Sequence, residues 1–376
     1  MSKPNRKLDN YSPKDKPEIL RAAEKNAMQS LPEFLIAPKD KIEPFSGERW
    51  PYSNVKPAVY ASLGLLYGKT EKRGTAGALI NSDMEYSIQN VLTGYAFGLF
   101  YCLPESYLSS ALYGLSPCRL KNISREELAP VIKEHVSGGN AAYIDEGGRP
   151  YSYLIWGYRD NGKILLGHQF EEGNDAINSS LDFEKPSEFD TLAENIEGVT
   201  LFQPDEENYS RDFLYERALD NGCRMLTQTE PPPEMDFSRV HFGYGQAIYD
   251  EWVRQLESAN EENSGEFYFK SPVFPHFIAL FENRSHLYKF LKMYSDTTRD
   301  DNLTKAAELC GRLKDLALSG AQIGFDNEWS DPAVLALSNN ERRSLLIDLL
   351  KKCRKLEMEI AGYIKAFLDQ RSLDKT

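Results

Sequence analysis

The chain has 376 residues, 41% hydrophobic and 27% charged, which excludes a wholly disordered chain and leaves length for two globular domains. Its net charge of −13 argues against a nucleic-acid partner, because no phosphate-neutralising surface dominates. No apolar run approaches the about 20 residues of a membrane span, and the N-terminus lacks the apolar core of a signal peptide, so a cytoplasmic location with no membrane partner is expected.

In chain order, residues 1–50 read as an N-terminal arm. Pro17 suits the first turn of a short helix with Ile19, Leu20, Ala23 and Ala27 on one face. Residues 51–207 read as an α+β domain. A helical pattern carries Val59, Leu63, Leu66 and Tyr67 and ends at Gly68. Leu92-Thr-Gly-Tyr-Ala-Phe-Gly-Leu99 places small residues beside aromatics, a sign of close backbone approach in a packed region or a cleft. Ser124-Arg-Glu-Glu127 is a capping box that opens a helix toward His135. Ala141–Ile144, Tyr151–Tyr158, Lys163–Gln169 and Val199–Phe202 read as strands. Asn161-Gly162 suits the tight turn between the middle two, since both residues tolerate positive φ.

Pro231-Pro-Pro233 punctuates the connection to a helical domain over 208–376. Tyr249, Trp252, Val253 and Leu256 share one face there. Phe277, Leu280 and Phe281 share another, which resumes at Leu287 after the polar Glu282–His286 stretch. A capping box at Ser338-Asn-Asn-Glu341 starts the last helix. Its Leu346, Leu349, Cys353, Leu356, Ile360, Tyr363 and Phe367 alternate spacings of three and four. That heptad pattern predicts a helix buried in a bundle, with a homodimeric or heteromeric contact through residues 339–370 as the alternative.

Chemistry-bearing motifs are sparse. The chain has no phosphate-cradling G-x-x-x-x-G-K-[ST] loop, no H-E-x-x-H and no G-x-S-x-G, and no cofactor is expected. Five widely spaced cysteines form no CxxC pair and predict reduced, mostly buried thiols rather than a zinc site or a disulfide framework. Of five histidines, His135 closes a helix where a cation suits the negative dipole end, His241 precedes Phe242-Gly-Tyr-Gly245, and packing accounts for His276 and His286. His168 stands near the end of the second hairpin strand.

Taken together, the Gly148-Arg-Pro150 strand start, the Gly157-Tyr-Arg-Asp-Asn-Gly162 hairpin, the Ile164-Leu-Leu-Gly167 strand and the Leu92–Leu99 segment resemble the papain-like fold. They are similar, more narrowly, to the bacterial family related to the butirosin-biosynthesis acyltransferase and to bacteriocin-processing peptidase domains. His241-Phe-Gly-Tyr-Gly-Gln-Ala-Ile-Tyr-Asp-Glu-Trp252 is similar to a helix of that family's second half. The likeness spans roughly residues 52–370 and implies a papain-like α+β domain followed by an all-α region.

The resemblance also implies where catalysis would reside. A cysteine would open the first domain helix, a histidine on the first hairpin strand would activate it, and an Asp or Asn on the second strand would orient the ring. Asn54-Val-Lys-Pro-Ala-Val-Tyr-Ala-Ser-Leu63 holds no cysteine, and Tyr151-Ser-Tyr153 holds no histidine. His168 falls at the orienting position. The expectation is therefore a degenerate, non-catalytic cleft for a peptide or small metabolite, lined by Tyr95, Phe97, Tyr151, Tyr153 and His168, with a place in secondary-metabolite biosynthesis. Two alternatives stand. One is an active acyltransferase or amidase with a relocated nucleophile, Cys102 or Cys118, near His168 or His135. The other is a structural subunit of a biosynthetic assembly.

Overall fold

The computed structural model describes residues 35–36, 55–67, 76–98, 107–121, 125–146, 151–159, 164–171, 187–189, 196–205, 209–229, 244–258, 273–324 and 339–373. Most of the 1–50 arm, the Asn161-Gly162 turn and Pro231–Pro233 lie outside them. The elements run β1 (Leu35–Ile36), α1 (Val55–Leu66), α2 (Ala76–Leu92), α3 (Tyr107–Ala111), β2 (Leu115–Lys121), α4 (Arg125–Ser137), β3 (Ala142–Glu146), β4 (Tyr151–Arg159), β5 (Ile164–Glu171), β6 (Ser187–Phe189) and β7 (Ile196–Pro204). Five helices follow: α5 (Arg211–Thr227), α6 (Ala247–Ser258), α7 (Val273–Thr298), α8 (Asp301–Gly324) and α9 (Asn340–Leu373). The class is α+β, with an antiparallel sheet and a helical C-terminal region.

Contacts divide the chain into two units. One comprises Met1–Asp83 and Tyr107–Ser210, the other Met84–Ser106 and Arg211–Thr376. The sequence reading put a boundary at 207/208; the contact units change over at Ser210/Arg211. The single-boundary picture changes in one respect, because Met84–Ser106 groups with the helices. Periodicity cannot reveal such an excursion, since it is made by side chains nearly 200 residues downstream.

The first unit is built on a seven-stranded sheet of order β2-β7-β3-β4-β5-β6, with β1 paired to β4. Alternating Ala142 and Ile144, Val199 and Leu201, and Tyr153 and Ile155 face α4, which contributes Val131, Ile132 and Val136 to the same core. Each such fully buried aliphatic side chain is worth about 1.5–3 kcal/mol. In β4 the pairing slips between Ile155↔Gly167 and Gly157↔Leu166, leaving Trp156 as a bulge. The bulge resets the alternation, so Tyr158 rather than Gly157 joins the α4 face. The opposite face carries α1, which packs on β5 and sets Tyr60 edge-on to Phe202 at 5.9 Å.

In the second unit α7 and α8 pack on one another through a link of two residues, Arg299 and Asp300. Arg299 takes a left-handed φ of 55°, and the Asp300 carboxylate caps α8 by accepting from Leu303 N at 3.0 Å. α9 packs on α5, α6 and α8. Its buried seam is Leu346, Leu350, Cys353, Glu357, Ile360, Ile364 and Phe367. This shifts the predicted heptad: Leu350 and Ile364 are inside, whereas Tyr363 is 38% exposed. Asn339, one residue past the expected Ser338, supplies the cap, its Oδ1 accepting from Arg342 N at 3.1 Å; Ser338 lies outside the described residues.

Glu357 sits in an apolar seam because Arg284 of α7 meets it. Arg284 Nε and Nη2 donate to Glu357 Oε1 at 2.9 and 2.5 Å. The rest of the guanidinium donates to the carbonyls of Ala96 (2.6 Å), Phe97 (2.9 Å) and Gly98 (3.2 Å). These carbonyls belong to the turn that ends α2, where Gly94 adopts φ 84°. The Gly/aromatic segment is therefore a packed turn, with Tyr95 8% and Phe97 2% exposed. Glu282, Asn283, Arg284 and His286 of the polar stretch are buried within α7, and His286 Nδ1 lies 3.1 Å from Ser87 Oγ. Among the described residues, no helix is long and apolar enough to cross a membrane.

Candidate functional site

Two places in the α+β unit are relevant to chemistry. The first is the packing of α1 on β5, the strand paired to β4. Val59, Tyr60, Ala61 and Leu63 are buried along α1, and Tyr67 just beyond it accepts from the Ala141 amide at 2.9 Å. Burial raises the Tyr67 phenol pKa, so it stays a neutral anchor. No cysteine lies on α1 and no histidine on β4. His168 on β5 pairs with Leu154, and Tyr151 on β4 pairs with Glu171. The side chains of His168 and Tyr151 lie outside the described residues, as does Cys102.

The ligand-binding candidates divide between the units. Tyr151, Tyr153 and His168 belong to the first, Tyr95 and Phe97 to the second. Tyr153, at 8% exposure, packs in the core under α4. Phe97 lies so close to Gly222 of α5 that a Cβ there would come within 2.3 Å of the ring. Tyr95, Phe97 and Tyr153 are all buried.

The second place is a cavity of about 260 Å³ between the C-terminal end of α4 and strands β2, at the sheet edge, and β7, next to it. Val131 and Leu201 form its apolar floor, and Cys118, Glu134, His135, Asn140 and Gln203 supply polar groups. Local structure explains the gathering. Cys118 and Leu201 are cross-strand partners, so their side chains share one sheet face. Glu134 and His135 sit in the last turn of α4, which closes through Gly138 N to Glu134 O at 3.1 Å and Gly139 N to Val136 O at 2.9 Å. Asn140 follows that turn. Ser137 Oγ donates to the Lys133 carbonyl at 2.7 Å and so accepts from the Tyr158 hydroxyl at 2.9 Å, tying the helix end to β4.

His135 is tethered. Its Nε2 donates to the Ala141 carbonyl at 3.1 Å, which fixes the hydrogen on that nitrogen, and the Phe202 carbonyl is a further backbone acceptor. Desolvation outweighs these bonds and lowers the pKa from 6.5, so the ring is neutral at physiological pH. Elsewhere, burial pushes the thiols of Cys223, Cys310 and Cys353 up to about 12, which makes them inert. Among the described residues no group of His, Cys, Asp and Glu is placed to hold a metal ion.

Cys118 and His135, one of the pairings that the relocated-nucleophile alternative named, line one cavity. Glu134, Asn140 and Gln203 were not anticipated. They come from a helix, a turn and a strand, and no local motif links them.

No protein-family model matches the chain, and no curated protein matches it. Function must be argued from the geometry.

Proposed function

We propose that the chain is a papain-like protein that has lost thiol catalysis and serves as a binding module for a peptide or small metabolite in secondary metabolism. The observation that carries this reading is the packing of a cysteine-free α1 on β5, beside a β4 that bears no histidine. A thiolate nucleophile needs a nearby base to form at neutral pH, and this pair of elements supplies neither. The test has two arms on the intact chain. Thermal shift against peptides and biosynthetic intermediates is expected to reveal at least one that raises Tm. Acyl thioester and amide substrates are expected to show no turnover. Turnover abolished by iodoacetamide overturns the reading, and uniformly absent thermal shifts count heavily against a ligand.

A second reading, thiol chemistry relocated to Cys118, is favoured by its sharing a cavity with His135. The lowered pKa of the buried His135 ring weighs against it, because a desolvated, neutral imidazole is a weak base and does not hold a thiolate beside it as an ion pair. Iodoacetamide at neutral pH distinguishes the two. An activated Cys118 labels faster than a free peptide thiol and slows in His135→Gln; an ordinary one labels no faster and ignores that change.

A further inference from the structure

We propose that the cavity at the end of α4 is a binding site for a small aliphatic amine, held by its ammonium group at Glu134 and by its carbon chain on Val131 and Leu201. This goes beyond the binding-module reading, because the cavity opens on the α4 face of the sheet, away from the α1 face.

Size sets the first limit. About 260 Å³ is below the roughly 300–1,000 Å³ of pockets for drug-sized molecules, so the ligand is compact. Charge sets the second. Glu134 is the charged side chain of the lining, and no Lys or Arg is among the described lining residues. A carboxylate offers about four acceptor positions, so a contact elsewhere leaves room for a ligand donor. The cavity also lies at the C-terminal end of α4, the negative end of its dipole, which favours a cation by the same sign. His135 does not oppose this, since desolvation holds its ring neutral. Polar supplementation sets the third. The side-chain carbonyls of Asn140 and Gln203 accept from the ammonium hydrogens that Glu134 leaves over. An anion meets a carboxylate and a negative helix end in the same space and is rejected.

The experiment is calorimetric titration of the full chain with 1-aminobutane, 1-butanol and butyrate, which share a carbon skeleton and differ in charge. Saturable binding of the amine is expected, with the alcohol about tenfold weaker and butyrate silent. Glu134→Gln, a half-buried change that leaves the core intact, is expected to bring the amine down to the alcohol's affinity. Gln203→Trp, at an exposed strand position, is expected to fill the cavity and abolish binding with unchanged circular dichroism. Equal affinity for amine and alcohol, amine binding indifferent to Glu134→Gln, or no saturable binding of the amine each overturns the proposal. The outcome is separable from the preceding reading: a metabolite that raises Tm while the amines fail leaves the binding module standing and removes this site.

Discussion

The two units bury polarity in opposite ways. The helical unit encloses a full ion pair, with the Arg284 and Glu357 side chains 2% and 3% exposed. Burial alone would lower the Arg284 pKa, yet the adjacent Glu357 carboxylate outweighs it and holds the guanidinium charged. Every direction of that fork is used, on Glu357 and on the 96–98 carbonyls. The sheet unit buries neutral groups instead: a neutral His135 on the Ala141 carbonyl, Tyr158 on Ser137, and Tyr67 on the Ala141 amide. It leaves Glu134 on the wall of a cavity. A charge with all its partners inside is architecture, because any ligand would have to replace them. Polar groups at a half-open cavity can exchange water for a ligand, and recognition is possible there.

The largest expected effect breaks the ion pair. Arg284→Met leaves the Glu357 carboxylate buried without its countercharge and frees the 96–98 carbonyls, so urea denaturation is expected to show a loss of about 3–5 kcal/mol. Adding Glu357→Leu is expected to recover the part due to the unpaired charge, while the 96–98 carbonyls stay without their donor. A single-variant loss near zero would erase the contrast between the units.

Next is Gly245, in the segment that docks α6 on the end of α5. It holds φ 52°, and a Cβ there would lie 2.1 Å from the Gln228 carbonyl. Because the obstacle is backbone, Gly245→Ala is expected to cost about 1–3 kcal/mol by thermal denaturation. An unchanged Tm would mean that this junction yields.

The sheet unit is expected to be the acid-sensitive one. The His135 pKa is lower folded than unfolded, so the unfolded chain binds more protons as pH falls past 6.5. The contribution of the neutral ring is therefore present above 6.5 and lost as pH falls through the folded value. Hydrogen exchange at the β3 and β7 amides is expected to quicken from pH 7.5 to pH 5 after correction for intrinsic rates, and His135→Gln is expected to flatten that response. Equal acid sensitivity with and without the imidazole would assign the effect elsewhere.

The smallest effect sharpens the helical side. Arg299 adopts φ 55° without a glycine's freedom, so Arg299→Gly is expected to stabilise the α7–α8 link by about 0.5–1 kcal/mol, read as a small rise in Tm.

Much of the local structure was legible. The helix from Val55, the helix closing at His135 and the strands flanking Asn161-Gly162 follow hydrophobic period and turn chemistry, and they stand near their expected bounds. The Trp156 bulge was not legible, since an extra residue in one strand appears only against its partner. The seam of α9 was misread at two positions for a related reason. A reader of hydrophobicity selects Leu349 and Tyr363 and passes over Glu357, whose burial depends on an arginine 73 residues away. At the candidate site, Cys118 beside His135 was one of several pairings open from sequence, but Glu134, Asn140 and Gln203 around them were not visible.

The residue order alone determined that a cysteine is missing from α1 and a histidine from β4, and where most helices and strands begin, because these depend on identity and short-range period. Tertiary structure alone decided which polar groups are enclosed, which face of the sheet each strand residue serves after the bulge, and that five polar residues from one helix, one turn and two strands meet over Val131 and Leu201. Those outcomes depend on solvent exclusion and electrostatic pairing between distant residues, which no local pattern encodes.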